Sequence, residues 1–400
     1  MSRIQIAGGG IGGLAAALAC ARAGHEVCLC ERAREVSEVG AGVQLGPNVV
    51  RVLHGWGLQA ALRLVSAVPE QLQVRSATTA HKLGSLRLGP AFEQRYGAPY
   101  LTIHRADLHG VLLQAVQHTP GITLHFGSAM TRFSQTEDAV NTECSDDLQA
   151  CSDVLVGADG GWSTVRKGLL NDGTPQPTGH LAYRAMVLQR DLPAHLRSSQ
   201  VTAWLGPKLH LVQYPVRGGE WLNVVAIVHG QVLGDMSHWD HSANAQDLQR
   251  AMASACAPLR DLVGAIACWH LWPLSIRAPM SGPHEHAKGR VALLGDAAHP
   301  MLPYLAQGAG MAIEDAAALA WALSVPSAAN APANDVAAQL QRYAQARWQR
   351  NARVQARAIK NGQIFHATGS LRWGRDAAMA LLGENLLDMP WLYGGDAHPS

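Results

Sequence analysis

The sequence has 400 residues, of which 48% are hydrophobic and 16% charged, and its formal net charge is +2. This composition is typical of a globular protein with a large core; it excludes an intrinsically disordered chain and gives no electrostatic basis for nucleic-acid binding. No apolar run reaches about 18 residues, so no membrane-spanning helix is predicted, and the chain enters its first strand without a signal-peptide pattern.

The first 31 residues predict a strand, a glycine-rich turn, a helix and a second strand. Glycines follow the apolar residues 4–7 with the spacing GxGxxG, at Gly8, Gly10 and Gly13, and the next strand ends at Glu31. A dinucleotide-binding fingerprint requires this context. Gly8 permits the turn, Gly10 lets backbone N–H groups approach a pyrophosphate, and Gly13 lets the helix lie close to the strand. The alternative is a glycine-rich turn before a buried helix.

The second strand carries Cys28 and Cys30, separated by one residue. Alternate strand residues face the same side, so this spacing is poorly suited to a redox pair or a metal clamp. The chain has seven cysteines, an odd number, and most lie in apolar stretches. Such cysteines are typical of reduced thiols in a core. We therefore predict a cytoplasmic protein with no metal site.

Two features between the second strand and residue 118 indicate a ligand. Gly40, Gly42 and Gly46 are too many glycines for a regular element and indicate backbone running against a flat ligand. Arg105 lies where the strand at residues 100–105 meets a helix from residue 107, and a helix dipole disfavours a cation there unless an anion is bound. We interpret Arg105 as facing a phosphate; the alternative is a surface arginine.

Two later strands end in an acid flanked by glycine. Residues 153–157 lead to Asp159, and residues 289–294 lead to Asp296. Ligands of open parallel sheets bind at the carboxyl ends of the strands. The first glycine turn and these two strand ends are therefore predicted to share one site.

Residues 178–276 differ from the rest of the chain. They contain several strand-like runs of alternating polarity, a hairpin turn at 217–219 and a helix near 245–256, which predict a sheet-rich insertion. The predicted domains are a nucleotide-binding domain of residues 1–75, 100–177 and 277–326, a sheet domain of residues 76–99 and 178–276, and C-terminal helices in residues 335–400.

The chain after residue 300 is predicted to be mostly helical. A helix at residues 311–323 is followed by a polar linker at 327–334 and a long helix at 335–362. Six basic residues of the long helix are interpreted as a solvated face. Apolar residues between 381 and 392 predict docking of the tail onto the body or onto a second subunit.

The chain resembles the single-component FAD-dependent aromatic hydroxylases with a para-hydroxybenzoate hydroxylase-like fold. Three ordered motifs carry the resemblance: residues 8–13 with Glu31, residues 159–166, and residues 295–300. The resemblance implies an α/β protein in which an FAD-binding Rossmann-like domain of the glutathione reductase type carries an inserted β-sheet-rich substrate domain and C-terminal helices. His299, inside the third motif, is expected to be structural.

The resemblance also implies roles for individual residues. Glu31 binds the adenosine ribose of FAD, Arg105 lies near the pyrophosphate, and Asp296 binds the ribityl–pyrophosphate region. Asp159 serves FAD and transient nicotinamide binding, and Pro300 with the glycines after it borders the isoalloxazine. The predicted cofactor-binding set is Gly8, Gly10, Gly13, Glu31, Arg32, Gln44, Arg105, Asp159, Asp296, Pro300, Gly308 and Gly310.

Within that family the chain is most similar to hydroxylases of small aromatic acids, of the salicylate, 3-hydroxybenzoate and 6-hydroxynicotinate types. His210 and Tyr214 lie four residues apart on a predicted strand and share a face. The resemblance implies that both line the substrate site, where they take or share the proton of the substrate hydroxyl, with Pro303 and Tyr304 nearby. The alternatives are a water-facing strand residue for His210 and a core tyrosine for Tyr214. The resemblance does not identify the substrate or the ring position.

The implied activity consumes NADH or NADPH, which reduces bound FAD. O₂ then adds to give the C4a-hydroperoxide, and its distal oxygen goes onto an activated phenol ring, in one variant with loss of carbon dioxide. The alternatives are a flavin oxidoreductase without oxygen insertion and a non-catalytic flavin-binding protein. The expected partners are a small aromatic acid and O₂, without nucleic acid or an integral membrane segment, and a homodimer is compatible with the tail.

Overall fold

The computed structural model describes residues 1–35, 41–230, 241–242, 245–325 and 335–395. Gly40 and the linker at 327–334 lie outside the described residues. No helix within the described ranges is long and apolar enough to cross a membrane.

A six-stranded sheet forms the centre of the first layer. Its strands pair in parallel except at one edge, where Ala287–Lys288 runs antiparallel to its neighbour. Their order across the sheet is Ala287–Lys288, Val291–Leu293, Val154–Gly157, Arg3–Ala7, Glu26–Glu31 and Ile122–Phe126. The strands are rich in Val, Ile and Leu because helices and a second sheet cover both faces.

The register of this sheet aligns three functional strand ends. Ala7 lies opposite both Cys30 and Gly157, and Gly157 lies opposite Leu293. The residues that follow these positions, which include Gly8, Glu31 and Asp159, therefore leave the sheet at one edge. The predicted convergence of strand ends is present.

Helices cover one face of the parallel sheet and a small antiparallel sheet covers the other. Ile11–Arg22 and Gly308–Ser324 contribute buried alanines and leucines to the larger core. The antiparallel strands Met130–Gln135, Val140–Cys144 and Gln149–Ser152 enclose a second core with helix Thr164–Leu170. A further three-stranded sheet consists of Gly42–Leu45, Leu101–His104 and Ser66–Ala67.

An eight-stranded sheet forms the second layer. Its order is His241–Ser242, His270–Ile276, Gln176–Leu188, Trp221–His229, Leu209–Val216, Val201–Gly206, Gln71–Ser76 and Lys82–Arg87. Alternation along the strands places Leu211, Val224 and Ala226 in a core, and the residues between them, such as Val212 and Val225, face the other side and line a cavity.

Thirteen α-helices are found in the described part of the chain. Their bounds are Ile11–Arg22, Pro47–Gly55, Gln59–Val65, Pro90–Tyr96, Arg105–Gln117, Thr164–Leu170, Ala245–Ala251, Ala257–Gly264, Gly308–Ser324, Val336–Phe365, Gly369–Leu382, Glu384–Leu387 and Pro390–Tyr393. The predicted α/β fold class with an inserted sheet and C-terminal helices is confirmed.

Two helix predictions were wrong in their bounds. The helix predicted near residues 245–256 is two helices, Ala245–Ala251 and Ala257–Gly264, because Pro258 in the first turn of the second helix favours a new start there. The helix predicted from residue 311 begins at Gly308, so the glycines expected in a loop form its first turn.

The basic residues of the long helix Val336–Phe365 form a solvated face only in part, since Arg353 and Lys360 are exposed but Arg347 and Arg350 are not. Arg347 is fully buried and pairs with Glu314 and Asp315 at 2.9 Å each. Arg350 pairs with Glu314 at 2.6 Å. The sequence pattern showed the charges, but the acids that neutralise them come from the preceding helix.

The C-terminal tail is only partly docked. Leu392 is fully buried, and Leu387 and Trp391 pack against the same core. Backbone oxygens of the tail accept hydrogen bonds from Arg51 and Arg350. By contrast, Leu381 remains 85% exposed.

Candidate active site

A cavity of about 930 Å³ runs from the carboxyl edge of the parallel sheet to the inner face of the eight-stranded sheet. Most of the predicted site residues share this cavity. Those that line it are Gly8, Gly10, Glu31, Arg32, Gln44, Arg105, Asp159, His210, Tyr214, Asp296, Pro303 and Gly308. Gly13, Pro300, Tyr304 and Gly310 are outside the lining.

The three fingerprint glycines are required for different reasons. Gly8 has φ of +103°, and a Cβ there would lie 2.4 Å from the Ala158 oxygen. A Cβ at Gly13 would lie 1.8 Å from the Gly8 oxygen, so only glycine lets the helix approach the strand. At Gly10 a Cβ would meet no protein atom within 4 Å. Protein packing therefore does not require Gly10, whereas close approach of a ligand to the backbone would require it.

Glu31 organises the turn at the end of its strand. Its carboxylate accepts hydrogen bonds from the backbone N–H of Gly9 at 2.6 Å and of Ala33 at 2.8 Å. The side chain therefore joins the glycine turn to the second strand while it borders the cavity. Arg32, which follows it, also lines the cavity.

Asp159 caps a helix at the cavity wall. It accepts hydrogen bonds from Ser163 Oγ at 2.5 Å and from the backbone N–H groups of Thr164 and Val165 at 2.7 and 3.1 Å. Burial raises the pKa of its carboxyl, and these hydrogen bonds oppose that shift. Asp159 thus fixes the turn between the strand and the helix Thr164–Leu170.

Asp296 is exposed and lies where helix Gly308–Ser324 begins. A Cβ on Gly308 would be 4.0 Å from its Oδ1 atom. The first N–H groups of this helix have no intrahelical partner, so this end of the cavity favours negative charge. Gly310, in contrast, packs against another helix, since a Cβ there would lie 2.7 Å from Val49 Cγ2.

A buried network holds the loop that carries Asp296. Asp315 accepts from the backbone N–H of Gly295 at 3.1 Å, contacts His299 Nε2 at 2.5 Å and pairs with Arg347. Burial alone would raise the pKa of Asp315, but attraction to His299 and Arg347 holds it well below its usual range. His299 lies in this network, with no exposed atom for a ligand to contact.

His210 and Tyr214 form part of the wall formed by the eight-stranded sheet. Burial lowers the pKa of His210 to about 3, so its ring is neutral near pH 7. Burial raises the pKa of Tyr214 above its usual value, although Arg184 opposes the shift. Pro303 also lines the cavity and lies in the turn Pro303–Leu305.

Tyr304 and Pro300 lie behind the cavity wall. The Tyr304 hydroxyl contacts His180 Nδ1 at 2.5 Å, and its ring lies 5.1 Å from that of His210. The Pro300 carbonyl accepts a hydrogen bond from Gln355 at 3.3 Å. Tyr304 therefore supports His210 from behind instead of lining the cavity.

Sequence reasoning missed Arg184, which lines the same cavity. Its guanidinium lies over the Trp272 ring at 4.7 Å, its Nε has no hydrogen-bond partner, and no carboxylate within the described ranges pairs with it. Burial lowers its pKa to about 10, which leaves it charged near pH 7. Arg184 lies opposite Val225, a register that no local pattern reveals.

The lining of the cavity fits FAD in its chemistry. One end offers an open glycine turn at a helix N-terminus, which suits a pyrophosphate. Glu31 borders that end, and Asp296 with a second helix N-terminus also lines the cavity. Apolar strand residues and three polar groups, His210, Tyr214 and Arg184, form the far end.

Such a fold and site define a nucleotide-binding α/β enzyme in which a second sheet forms one wall of the cavity. The chain belongs to the FAD binding domain family, whose model matches residues 1–358. It is 36% identical to a 3-hydroxybenzoate 6-hydroxylase of Polaromonas naphthalenivorans (strain CJ2) over 98% of this chain and 95% of that protein. It is 34% identical to a 6-hydroxynicotinate 3-monooxygenase of Bordetella bronchiseptica over 79% and 81% of the two chains.

A solved salicylate hydroxylase substrate complex superposes with a TM-score of 0.82 at 26% identity, covering 99% of this chain and 96% of that one. The predicted relationship to the FAD-dependent aromatic hydroxylases is confirmed. The protein is a flavoprotein monooxygenase of that class, and its cofactor is FAD.

Proposed function

We propose that this enzyme uses NADH or NADPH and O₂ to hydroxylate a small aromatic acid of the 3-hydroxybenzoate, salicylate or hydroxynicotinate class. The observation that carries this proposal is Arg184, a charged guanidinium without a carboxylate partner in the described part of the chain, which lines the same cavity as a neutral imidazole. Arg184 is half-buried, and a partly desolvated cation without a counter-ion is costly, a cost that an anionic ligand reduces. The names of the relatives support the same substrate class.

FAD, when bound, supplies electron transfer from the nicotinamide and activation of O₂. We propose that Gly8, Gly10 and Arg105 face its pyrophosphate, that Glu31 and Arg32 face its adenosine end, and that Asp296 faces the ribityl region. Gln44 and the first turn at Gly308 then border the flavin ring. Gly13 acts through packing alone.

The remaining residues orient the substrate. Arg184 holds its carboxylate, and His210 and Tyr214 face its ring hydroxyl. An imidazole with so low a pKa shares the hydroxyl proton instead of removing it, and the charge of Arg184 stabilises the electron-rich ring. Apolar Val212, Val225 and Ile227, which line this end, exclude water.

The test is a panel of hydroxylated benzoates and nicotinates, scored by nicotinamide oxidation, O₂ uptake and product mass. We expect one acid to stimulate oxidation of NADH or NADPH and to gain one oxygen atom. Stimulated oxidation without an oxygenated product would support an oxidoreductase without oxygen insertion. No stimulation by any aromatic acid would contradict the proposal.

A His210→Ala variant tests the site. We expect it to retain FAD but to release hydrogen peroxide in place of much of the hydroxylated product, because the ring hydroxyl loses its partner. Unchanged coupling of nicotinamide oxidation to product would remove His210 from the site.

A further inference from the structure

Histidines from distant segments meet behind the cavity wall. His180 and His229 lie directly opposite each other in an antiparallel strand pair, with ring centroids 4.5 Å apart. His366, the residue after helix Val336–Phe365, places its ring 5.0 Å from both. One ring nitrogen from each of the three lies within 4.8 Å of the others.

The backbone holds this group in place. The Lys208 N–H donates to the His366 carbonyl at 3.2 Å, and the Lys208 carbonyl accepts from the His229 N–H at 3.3 Å. Tyr304 contacts His180 Nδ1 at 2.5 Å. These bonds join the end of the long helix to the sheet, so the three rings are positioned before any ligand arrives.

We propose that His180, His229 and His366 bind a divalent transition-metal ion, with Zn²⁺ as the first candidate. Three imidazoles with a fourth position open are a recurrent zinc ligand set. His229 is exposed, so an ion can reach the three rings from solvent. The three ligands are separated by 49 and 137 residues along the chain, so no local spacing reveals them.

The distances permit the ion after small movements. A tetrahedral ion with Zn–N bonds of 2.0–2.1 Å holds its nitrogens about 3.4 Å apart. His229 Nε2 and His366 Nδ1 are 2.9 Å apart, hydrogen-bonded to each other, and would separate slightly, whereas the third ring would move inward.

The charge of the surroundings favours moderate affinity. Lys208 and Arg375 are positive neighbours that oppose the ion, although Asp376 pairs with Arg375 at 2.7 Å.

A bound metal ion would affect the protonation of His210 in the cavity wall through one hydrogen bond. His366 Nε2 lies 2.7 Å from His210 Nδ1. With Nδ1 of His366 on the metal, its proton must sit on Nε2 and be donated to His210. The ion would therefore set which nitrogen of His210 carries a proton.

The experiment uses tag-free, FAD-loaded protein that has been treated with a chelator and then titrated with ZnCl₂ in a calorimeter. We expect one Zn²⁺ per chain with a micromolar or tighter dissociation constant. His229→Gln and His180→Gln should each weaken binding at least about 100-fold, and the exposed His195→Gln should change nothing. Retained flavin absorbance reports that each variant is folded.

Two results would overturn the proposal. One is the absence of zinc binding to the unaltered protein. The other is binding that survives both His229→Gln and His180→Gln, which would place the ion elsewhere, for example at the buried group of His286, His299 and Asp315. Because the measurement is binding and not hydroxylation, it succeeds or fails independently of the proposed function.

Discussion

The Arg184 guanidinium lies over the Trp272 ring, 4.7 Å from its centroid. This contact orients a cation towards the cavity that His210 and Tyr214 also line. A cation–π contact stabilises the charge without neutralising it, so the guanidinium remains available to an anion.

Replacing this cation should weaken the binding of the acid. In Arg184→Met, we expect KM for the carboxylate substrate to rise roughly 10- to 100-fold, because a charge-assisted hydrogen bond contributes about 1.5–3 kcal/mol. The measurement is steady-state kinetics with the acid and with its carboxamide analogue. As the matched control, KM for the carboxamide should differ little between Arg184→Met and the unaltered protein. Equal KM values of the two proteins for the acid would contradict the assignment.

The glycine turn offers a pair of substitutions with opposite expectations. Gly13→Ala places a methyl group 1.8 Å from the Gly8 oxygen and should destabilise the fold. Gly10→Ala meets no protein atom, so it should unfold at nearly the same temperature as the unaltered apoprotein but bind FAD more weakly. Thermal unfolding of the apoproteins and flavin titration separate the two effects. Equal FAD affinity in Gly10→Ala would show that the ligand does not approach this backbone.

Substitutions of Asp296 and of Asp315 should have different effects on flavin content and on stability. Asp296→Ala removes an exposed cavity carboxylate, and we expect largely flavin-free but stable protein. Asp315→Asn leaves the buried Arg347 short of a charge partner, at a cost of about 3 kcal/mol in the free energy of unfolding. Chemical unfolding together with the flavin content after purification measures both. Fully yellow Asp296→Ala protein would contradict the role of that residue.

His286 should make the fold sensitive to acid. Burial lowers its pKa to about 4, and Asn351 Nδ2 donates to its Nε2 at 3.0 Å, which requires an unprotonated nitrogen. The unfolded chain therefore binds this proton more readily than the folded chain. Neutral His286 therefore contributes fully to the free energy of unfolding above its unfolded-state pKa of about 6.5. As the pH drops from there towards 4, this contribution falls by up to about 1.4 kcal/mol per pH unit.

Chemical unfolding between pH 7 and pH 4.5 tests this contribution. His286→Gln should flatten the pH dependence of the free energy of unfolding, and His195→Gln, an exposed histidine, should leave it unchanged. An unaltered slope in His286→Gln would show that the ring does not stay neutral in the folded protein.

Site residues that follow one another closely in the chain could be predicted from the sequence, whereas those brought to the cavity by strand register could not. Gly8, Gly13 and Glu31 were identifiable because strand, turn and acid follow one another within 31 residues. Arg184 was missed because only the pairing with Val225 turns it towards the cavity. Arg347 was predicted to be solvated, because the spacing of charges along a helix does not show which partner a charged residue contacts.

The predicted start of the helix after residue 300 was wrong for a reason that also lies in tertiary packing. The helix was expected to begin after its glycines, since glycine is a poor helix former. Tertiary packing overrides that preference, because the first turn of Gly308–Ser324 needs small residues where it meets Val49. The substrate role of Tyr304 stays a prediction, and its hydroxyl contacts His180.

The order of strands has a consequence for synthesis on the ribosome. Val154–Gly157 pairs with Val291–Leu293, and the strands from Gln176–Leu188 to His270–Ile276 are translated between them. The nascent chain can therefore assemble most of the larger sheet while the smaller one still lacks an edge. Asp296 and helix Gly308–Ser324 are translated only after that edge is made, so the cavity that they line is among the last parts of the fold to be completed.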